Sequence, residues 1–278
     1  MARKAVDLNG KVAVITGGAR GIGAATARAL SKQGVKVAIG DLDLDVSERT
    51  AKDIGGVLAL RLDVTDHAGY SAFLDEVEGA LGPIDILINN AGIMPVVEFE
   101  DETAASIDRQ IAINMRAVIH GTQEAIHRMK PRGRGHIVNV ASVAGKVGSP
   151  GVATYCATKH AVVGLSEAVH LELHGTGVEV SCVMPSIIRT ELTDGIKEHW
   201  LLKSSPPEAV ADQIVRALQH PHFDVYVPRS MNGVLRSVRL FPQRSTEAFG
   251  RATKSLRVIA DSAHSPERAA YEKRASGK

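Results

Sequence analysis

Tyr155 and Lys159 stand four residues apart in TYCATKHAVVGLSEAVHLEL (Thr154–Leu173). The apolar spacing of that segment predicts a helix, so the phenol and the ammonium share one face, one turn apart. An ammonium beside a phenol favours the phenolate and lowers its pKa from roughly 10. Such a tyrosine can exchange a proton with a hydroxyl or a carbonyl. Alone, the pair is weak evidence, because polar residues at this spacing also mark a solvated helix face. A second candidate is TGGARGIG, in which Gly17, Gly21 and Gly23 separate an apolar run from a helical pattern. Glycine lets the backbone turn tightly and approach a pyrophosphate, and the helix N-terminus adds unpaired N–H groups and a positive dipole end. A ligand-free turn is the alternative. A third candidate is IGDLDLD (Ile39–Asp45), which carries three acids at alternate positions. Asp41 can accept hydrogen bonds from ribose hydroxyls and would repel a 2′-phosphate. Asp43 and Asp45 read instead as a helix beginning, with Asp45 as N-cap and Glu48 completing a capping box.

These residues need a framework, and the chain supplies an alternating one. KVAVITG (Lys11–Gly17), VKVAIGD (Val35–Asp41), VLALRLDV (Val57–Val64), IDILINNAG (Ile84–Gly92), GHIVNVAS (Gly135–Ser142), VEVSCVMP (Val178–Pro185) and FDVYVP (Phe223–Pro228) read as seven strands. Helix-length segments lie between them, the first being AATARALSKQG, stopped at Gly34. Strands apolar almost throughout indicate a parallel sheet covered on both faces. The expected fold is a single α/β domain, doubly wound in the Rossmann manner, over residues 1–228. Residues 229–278 are expected to form a basic helical extension.

The 278 residues allow a large core, with 44% hydrophobic and 23% charged residues. A formal charge of +2 gives no case for nucleic acid. Two cysteines, Cys156 and Cys182, suit a reducing compartment, and Cys156 reads as a packing residue. MARKAVDLNGK has no apolar stretch behind it and no run reaches the roughly 18 residues of a membrane span, so a cytoplasmic protein is expected. His170 and His174 lie one turn apart without a third ligand, so no metal site is expected. No G-x-S-x-G elbow occurs, which leaves serine-hydrolase chemistry without support.

TGGARGIG, NNAG (Asn89–Gly92), Ser142 after a strand, and YCATK occur in the order and spacing of the short-chain dehydrogenase/reductase family, which the chain resembles from about Lys11 to Pro228. The resemblance implies hydride transfer between a nicotinamide cofactor and a secondary alcohol or ketone. It implies that Tyr155 is the acid/base, that Lys159 lowers its pKa and holds the nicotinamide ribose, and that Ser142 orients the substrate oxygen. Asn114, in AINMRA, would carry protons towards Lys159 through a water. Gly17, Gly21, Ile22 and Gly23 would cradle the phosphates, Asp63 and Val64 would meet the adenine, and Asn90, Ala91 and Gly92 would pass under the dinucleotide. Pro185, Ile188 and Thr190, in MPSIIRTEL (Met184–Leu192), would grip the carboxamide. Ser186 departs from the glycine usual after that proline.

NAD is expected over NADP. Arg20, just before Gly21, is a competing signal for a 2′-phosphate, but it can turn to solvent, and Leu42 adds no positive charge. Ile93, Met94 and Val147 favour a hydrophobic substrate of steroid, retinoid or lipid type. Trp200, Leu201 and Leu202 are candidates either for a pocket wall or for a helix anchor. An NADPH-dependent ketoreductase, such as a 3-oxoacyl thioester reductase, and a non-catalytic nucleotide-binding scaffold remain alternatives.

Between Arg229 and Arg257 stand seven basic residues and one acid, Glu247. Met231, Val234, Leu235 and Val238 follow helical spacing with Arg236 and Arg239 turned away. Pro242 should end that helix, and Phe249, Ala252, Leu256 and Ile259 suggest another. Basic amphipathic helices either cover the substrate cleft, meet a neighbouring subunit or lie on an anionic membrane. The family resemblance implies a homodimer or homotetramer through the helix bearing Tyr155.

Overall fold

The computed structural model describes residues 5–197, 203–242, 244, 251, 253, 257–263 and 265–276. Seven strands form one parallel sheet: β1 Val12–Thr16, β2 Lys36–Asp41, β3 Leu58–Arg61, β4 Ile86–Asn89, β5 Gly135–Val140, β6 Val178–Pro185 and β7 Asp224–Val227. Their spatial order is β3-β2-β1-β4-β5-β6-β7. Alternation along β1 shows why the strands are apolar throughout. Ala13 and Ile15 enter a core with Ala27, Leu30 and Ile214, whereas Val12 and Val14 enter another with Phe73, Leu74 and Ile137. Both faces are buried. The helices responsible are α1 Gly21–Ser31 on the first face and α3 His67–Leu81 on the second. Those completing the domain are α2 Leu44–Ile54, α4 Ala104–Ile111, α5 Ala117–Met129, α6 Ala153–Glu172 and α7 Pro207–Gln219.

Strand order reverses between β1 and β4, so the loops leaving their carboxyl ends diverge and open a crevice. This explains why β3 and β4 are shorter than the apolar runs suggest. Leu62–Val64 and Asn90–Gly92 have left the sheet, and most of them line that crevice. The capping expectation at the second helix is corrected. Asp43, not Asp45, is the residue preceding α2, and its carboxylate caps nothing because it is paired with Arg20 at 2.9 Å.

Buried polar groups tie the second core together. The Tyr70 hydroxyl donates to Asn89 Oδ1 at 3.0 Å, Asn89 Nδ2 to Asn139 Oδ1 at 2.9 Å, and Asn139 Nδ2 to Ser166 Oγ at 3.0 Å. His136 on β5 is buried too, with Nε2 2.9 Å from Ser181 Oγ. Burial pushes its pKa down to about 3, and nearby His222 adds to the shift. Its folded pKa is depressed, so the stability it contributes is present above the unfolded value near 6.5 and is lost as pH falls towards 3. Denaturant stability should therefore drop by about 2–3 kcal/mol by about pH 4.5. His136→Gln should flatten that slope, and an unchanged slope would assign the acid lability elsewhere.

Past β7, α8 Ser230–Arg239 stops before Pro242 as expected. Leu235 is buried and Val234 is exposed. The helix suggested by Phe249, Ala252 and Leu256 falls outside the described residues, as do Trp200, Leu201 and Leu202. No periodicity had marked the last helix, α9 Pro266–Ala275. It lies against the sheet domain with Arg268, Tyr271 and Ala275 buried. The buried face of this helix is thus occupied by the rest of the domain. Among the described residues no helix is long and apolar enough to cross a membrane.

Candidate active site

The crevice is a groove of about 770 Å³ running from Asp41 and Asp63 at one end to Ser142 and Tyr155 at the other. Its floor is the glycine turn. Gly17 has a φ of +65°, and a side chain there would lie 2.8 Å from the Ala91 Cα. A side chain at Gly23 would collide with the Gly17 carbonyl oxygen. Asn90 holds the turn from the neighbouring strand. Its Nδ2 donates to the carbonyls of Thr16 and Gly17, both at 3.0 Å, and its backbone N–H donates to Thr16 Oγ1. The resemblance had placed Asn90 under the dinucleotide, and the structure shows its side chain as the staple of the phosphate loop. A bare-backbone floor ahead of the α1 N-terminus fits a dinucleotide pyrophosphate.

Asp41 stands where β2 leaves the sheet. One carboxylate oxygen accepts from the Ala19 N–H at 3.1 Å and the other from the Asp43 N–H at 3.2 Å. Arg20 does not turn to solvent as expected. It pairs with Asp43 at 2.9 Å and with Glu191 at 3.3 Å, so its charge is committed. Leu42 is exposed on the rim, while Ile22, Val64 and Ile188 add apolar wall. Asp63 is held below the usual carboxylate range chiefly by the Thr65 hydroxyl, against a burial effect of opposite sign.

At the other end, α6 presents Tyr155 and Lys159 on one face, and the loop after β5 presents Ser142. Tyr155 is buried, and burial pushes its phenol above the ordinary value while donation involving Ser142 pulls it back. The expected lowering by Lys159 is therefore not the net effect. The reason is geometric: Lys159 Nζ donates to the Val140 carbonyl at 2.9 Å and lies 5.6 Å from the Tyr155 ring centroid. Burial draws Lys159 itself down to about 8. Asn114 does not line the groove. It lies in a π-turn, Ala112–Arg116, and its amide brackets Ile93, accepting from the N–H and donating to the carbonyl at 2.8 Å each. It sits one layer behind, across Gly92 from Lys159.

Pro185, Ile188 and Thr190 all reach the groove. The Ser186 N–H donates to the Val227 carbonyl at 2.8 Å, which extends the β6–β7 ladder, a main-chain bond that glycine would make equally. Of the three residues expected to make an apolar pocket, only Ile93 lines it. Met94 is buried beside Tyr155 in a small apolar cluster, and Val147 is not on the wall. His170 lies against the Phe223 ring, 5.0 Å between centroids.

Sequence reasoning allowed a tail over the cleft but missed the helix and the residues that form the wall. Tyr271, Arg274 and Ala275 face the groove beside Glu191, Leu192 and Thr193. The Tyr271 hydroxyl accepts from the Met94 N–H at 2.7 Å. Arg274 pairs with Glu191 at 2.6 Å, but both side chains are 46% exposed, and such a rim pair contributes little. The Ser-Pro-Glu start at Ser265–Glu267 was the one local signal that could have marked this helix.

A family model described as short chain dehydrogenase matches residues 11–200. The chain is 40% identical over 191 residues to a sorbitol dehydrogenase of Cereibacter sphaeroides, covering 68% of this chain and 75% of that one. It is 39% identical over 196 residues to an NADP-dependent (R)-specific alcohol dehydrogenase of Lentilactobacillus kefiri, covering 68% and 78%. A solved short chain dehydrogenase/reductase from Burkholderia phymatum, in complex with NAD, superposes with a TM-score of 0.75 at 26% identity, covering 83% of this chain and 93% of that one.

Proposed function

The chain belongs to the short chain dehydrogenase family, an oxidoreductase acting on CH–OH groups, and on that premise we propose an NAD-linked dehydrogenase of a neutral secondary alcohol, with Tyr155 as acid/base. One observation carries the reading: a single groove joins a phosphate-fitting floor at Gly17 to a wall that holds Ser142, Tyr155 and Lys159 together. A bound nicotinamide supplies the hydride acceptor. The Tyr155 oxygen takes the alcohol proton, and in reduction returns it. Ser142, whose Oγ accepts from the Ala144 N–H at 3.1 Å, holds the substrate oxygen beside that phenol. Lys159 is fixed by the Val140 carbonyl and acts on the ribose and on the field at Tyr155. Gly17, Gly21 and Ile22 receive the pyrophosphate, Asp63 and Val64 the adenine, and Pro185, Ile188 and Thr190 the carboxamide. Asn114 acts through the Ile93 backbone.

The NAD preference rests on paired charge. A 2′-phosphate beside Asp41 meets a carboxylate, and Arg20 has Asp43 and Glu191 to satisfy first. Like-charge contact of this kind costs several kcal/mol, so NAD should exceed NADP by roughly 100-fold in kcat/KM. Initial rates with each cofactor over a panel of alcohols and ketones test both proposals. A lower KM for NADP would overturn the cofactor assignment. A panel-wide absence of turnover with either cofactor would favour the scaffold.

The substrate's body is apolar on this reading, supported by Ile93, Leu192 and Ala275 on the wall beside Tyr155. The one tail charge on the groove wall, Arg274, is paired with Glu191, which disfavours an ionised substrate.

A further inference from the structure

Helix α9 grips the catalytic domain through one face. Arg268 is fully buried, and its guanidinium donates to three backbone carbonyls: Leu192 at 3.1 Å, Asp194 at 3.2 Å and Met94 at 2.8 Å. Its Nε donates to Glu272 at 3.0 Å, and the same Glu272 oxygen accepts from the Val96 N–H. The catalytic domain is shaped to receive this. Gly195 has a φ of +76°, and a side chain there would collide with Ser265 Oγ. One turn beyond Arg268, the Tyr271 ring lies 5.1 Å over the guanidinium, which fixes the ring's place on the groove wall.

Tyr271 then has a donor to spare. Its oxygen accepts the Met94 N–H, and among the described residues no group accepts the Tyr271 hydroxyl proton. The phenol lies close enough to Tyr155 to add to the upward shift of that group. The α9 charges nearest the groove are paired, buried Arg268 with Glu272 and, on the wall, Arg274 with Glu191. What α9 offers the groove is one neutral phenol on its wall, near the acid/base, with a donor not used inside the protein.

Resting on the dehydrogenase reading, we propose that Tyr271 is a specificity-determining residue that donates to a second, uncharged oxygen of the substrate, remote from the reacting carbon. The preferred substrate is thus a secondary alcohol or ketone carrying another hydroxyl, carbonyl or ether oxygen on an otherwise apolar frame. A site needing to satisfy a polar group discriminates strongly against an analogue that lacks the matching atom.

Cyclohexanol and the 1,2-, 1,3- and 1,4-cyclohexanediols test this with the full-length protein and Tyr271→Phe. In the wild type, at least one diol should exceed cyclohexanol in kcat/KM. Tyr271→Phe should raise KM for that diol roughly tenfold more than it raises KM for cyclohexanol, with the KM for NAD within about twofold. Diol affinity for the NADH complex, read from bound-NADH fluorescence, should weaken by the same factor without any turnover. If Tyr271→Phe changes no affinity, or weakens cyclohexanol and diols equally, Tyr271 is a structural prop and the proposal fails. If the wild type oxidises nothing faster than Tyr155→Phe while diol affinity still depends on Tyr271, the dehydrogenase reading fails and the oxygen-binding role of Tyr271 stands.

Discussion

Tyr155→Phe should reduce turnover by about 10² to 10⁴-fold, the range that a positioned acid/base supplies. The substitution deletes one oxygen and leaves the ring in its cluster with Met94, Val96, Val152 and Cys156, so the fold should persist. The cradle at Gly17 and the carboxylate of Asp41 lie at the far end of the groove and are untouched. NADH affinity, followed by fluorescence titration, should therefore match the wild type. The wild-type pH profile has a definite sign. Burial holds the phenol above its ordinary value, so the phenolate required for oxidation grows with pH, and oxidation should accelerate from neutral pH upwards. Reduction needs the phenol protonated and should stay flat over the same window. A Tyr155→Phe enzyme retaining full turnover would remove the mechanism.

Arg268→Met should release the C-terminal helix. Methionine keeps much of the apolar length but removes the hydrogen-bonding donors of a residue that is 0% exposed. Three carbonyls lose their donor, and Glu272 loses its ion pair at 2.9 Å. Removing one member of a buried pair costs about 3–5 kcal/mol, and partial exposure of Glu272 moves the expectation to about 3 kcal/mol. The loss falls on α9 before the sheet, because local opening follows the weakest packing. Trypsin should cut at Lys273 and Arg274 several-fold faster in the variant, with the catalytic domain remaining intact. KM for the alcohol should rise as Tyr271 leaves the wall, and the KM for NAD should move less. Equal cleavage rates in the two proteins would show that Arg268 does not hold the helix.

Most of the domain was legible because its signals are local. Seven β-branched runs and the glycine turn each depend on neighbours a few residues away, as does the i, i+4 spacing of Tyr155 and Lys159. The position of Asp41 followed from where its strand had to end. Local reading failed where a residue answers to a distant partner. Asp43 does stand at a helix start, but its carboxylate pairs with Arg20, which also reaches Glu191, instead of capping the helix. Asn114 stands across Gly92 from Lys159, and only the structure shows that its amide brackets the Ile93 backbone. Met94 looked like pocket wall and is instead a backbone anchor for Tyr271 and Arg268.

The tail marks the division most clearly. Its basic composition left three places open, the substrate cleft, another subunit or lipid, because charge on a helix ordinarily seeks water. Arg268 is buried all the same, 174 residues from the Met94 carbonyl it serves. No spacing rule reaches that far, since such a contact exists only once the sheet has brought the ends of β4 and β6 together. The amino-acid sequence by itself determined the doubly wound sheet, the glycine turn and the shared helix face of Tyr155 and Lys159, all products of short-range periodicity and turn chemistry. Tertiary structure alone decided that the last helix walls the groove, because unpaired loop carbonyls gathered there could satisfy a buried guanidinium.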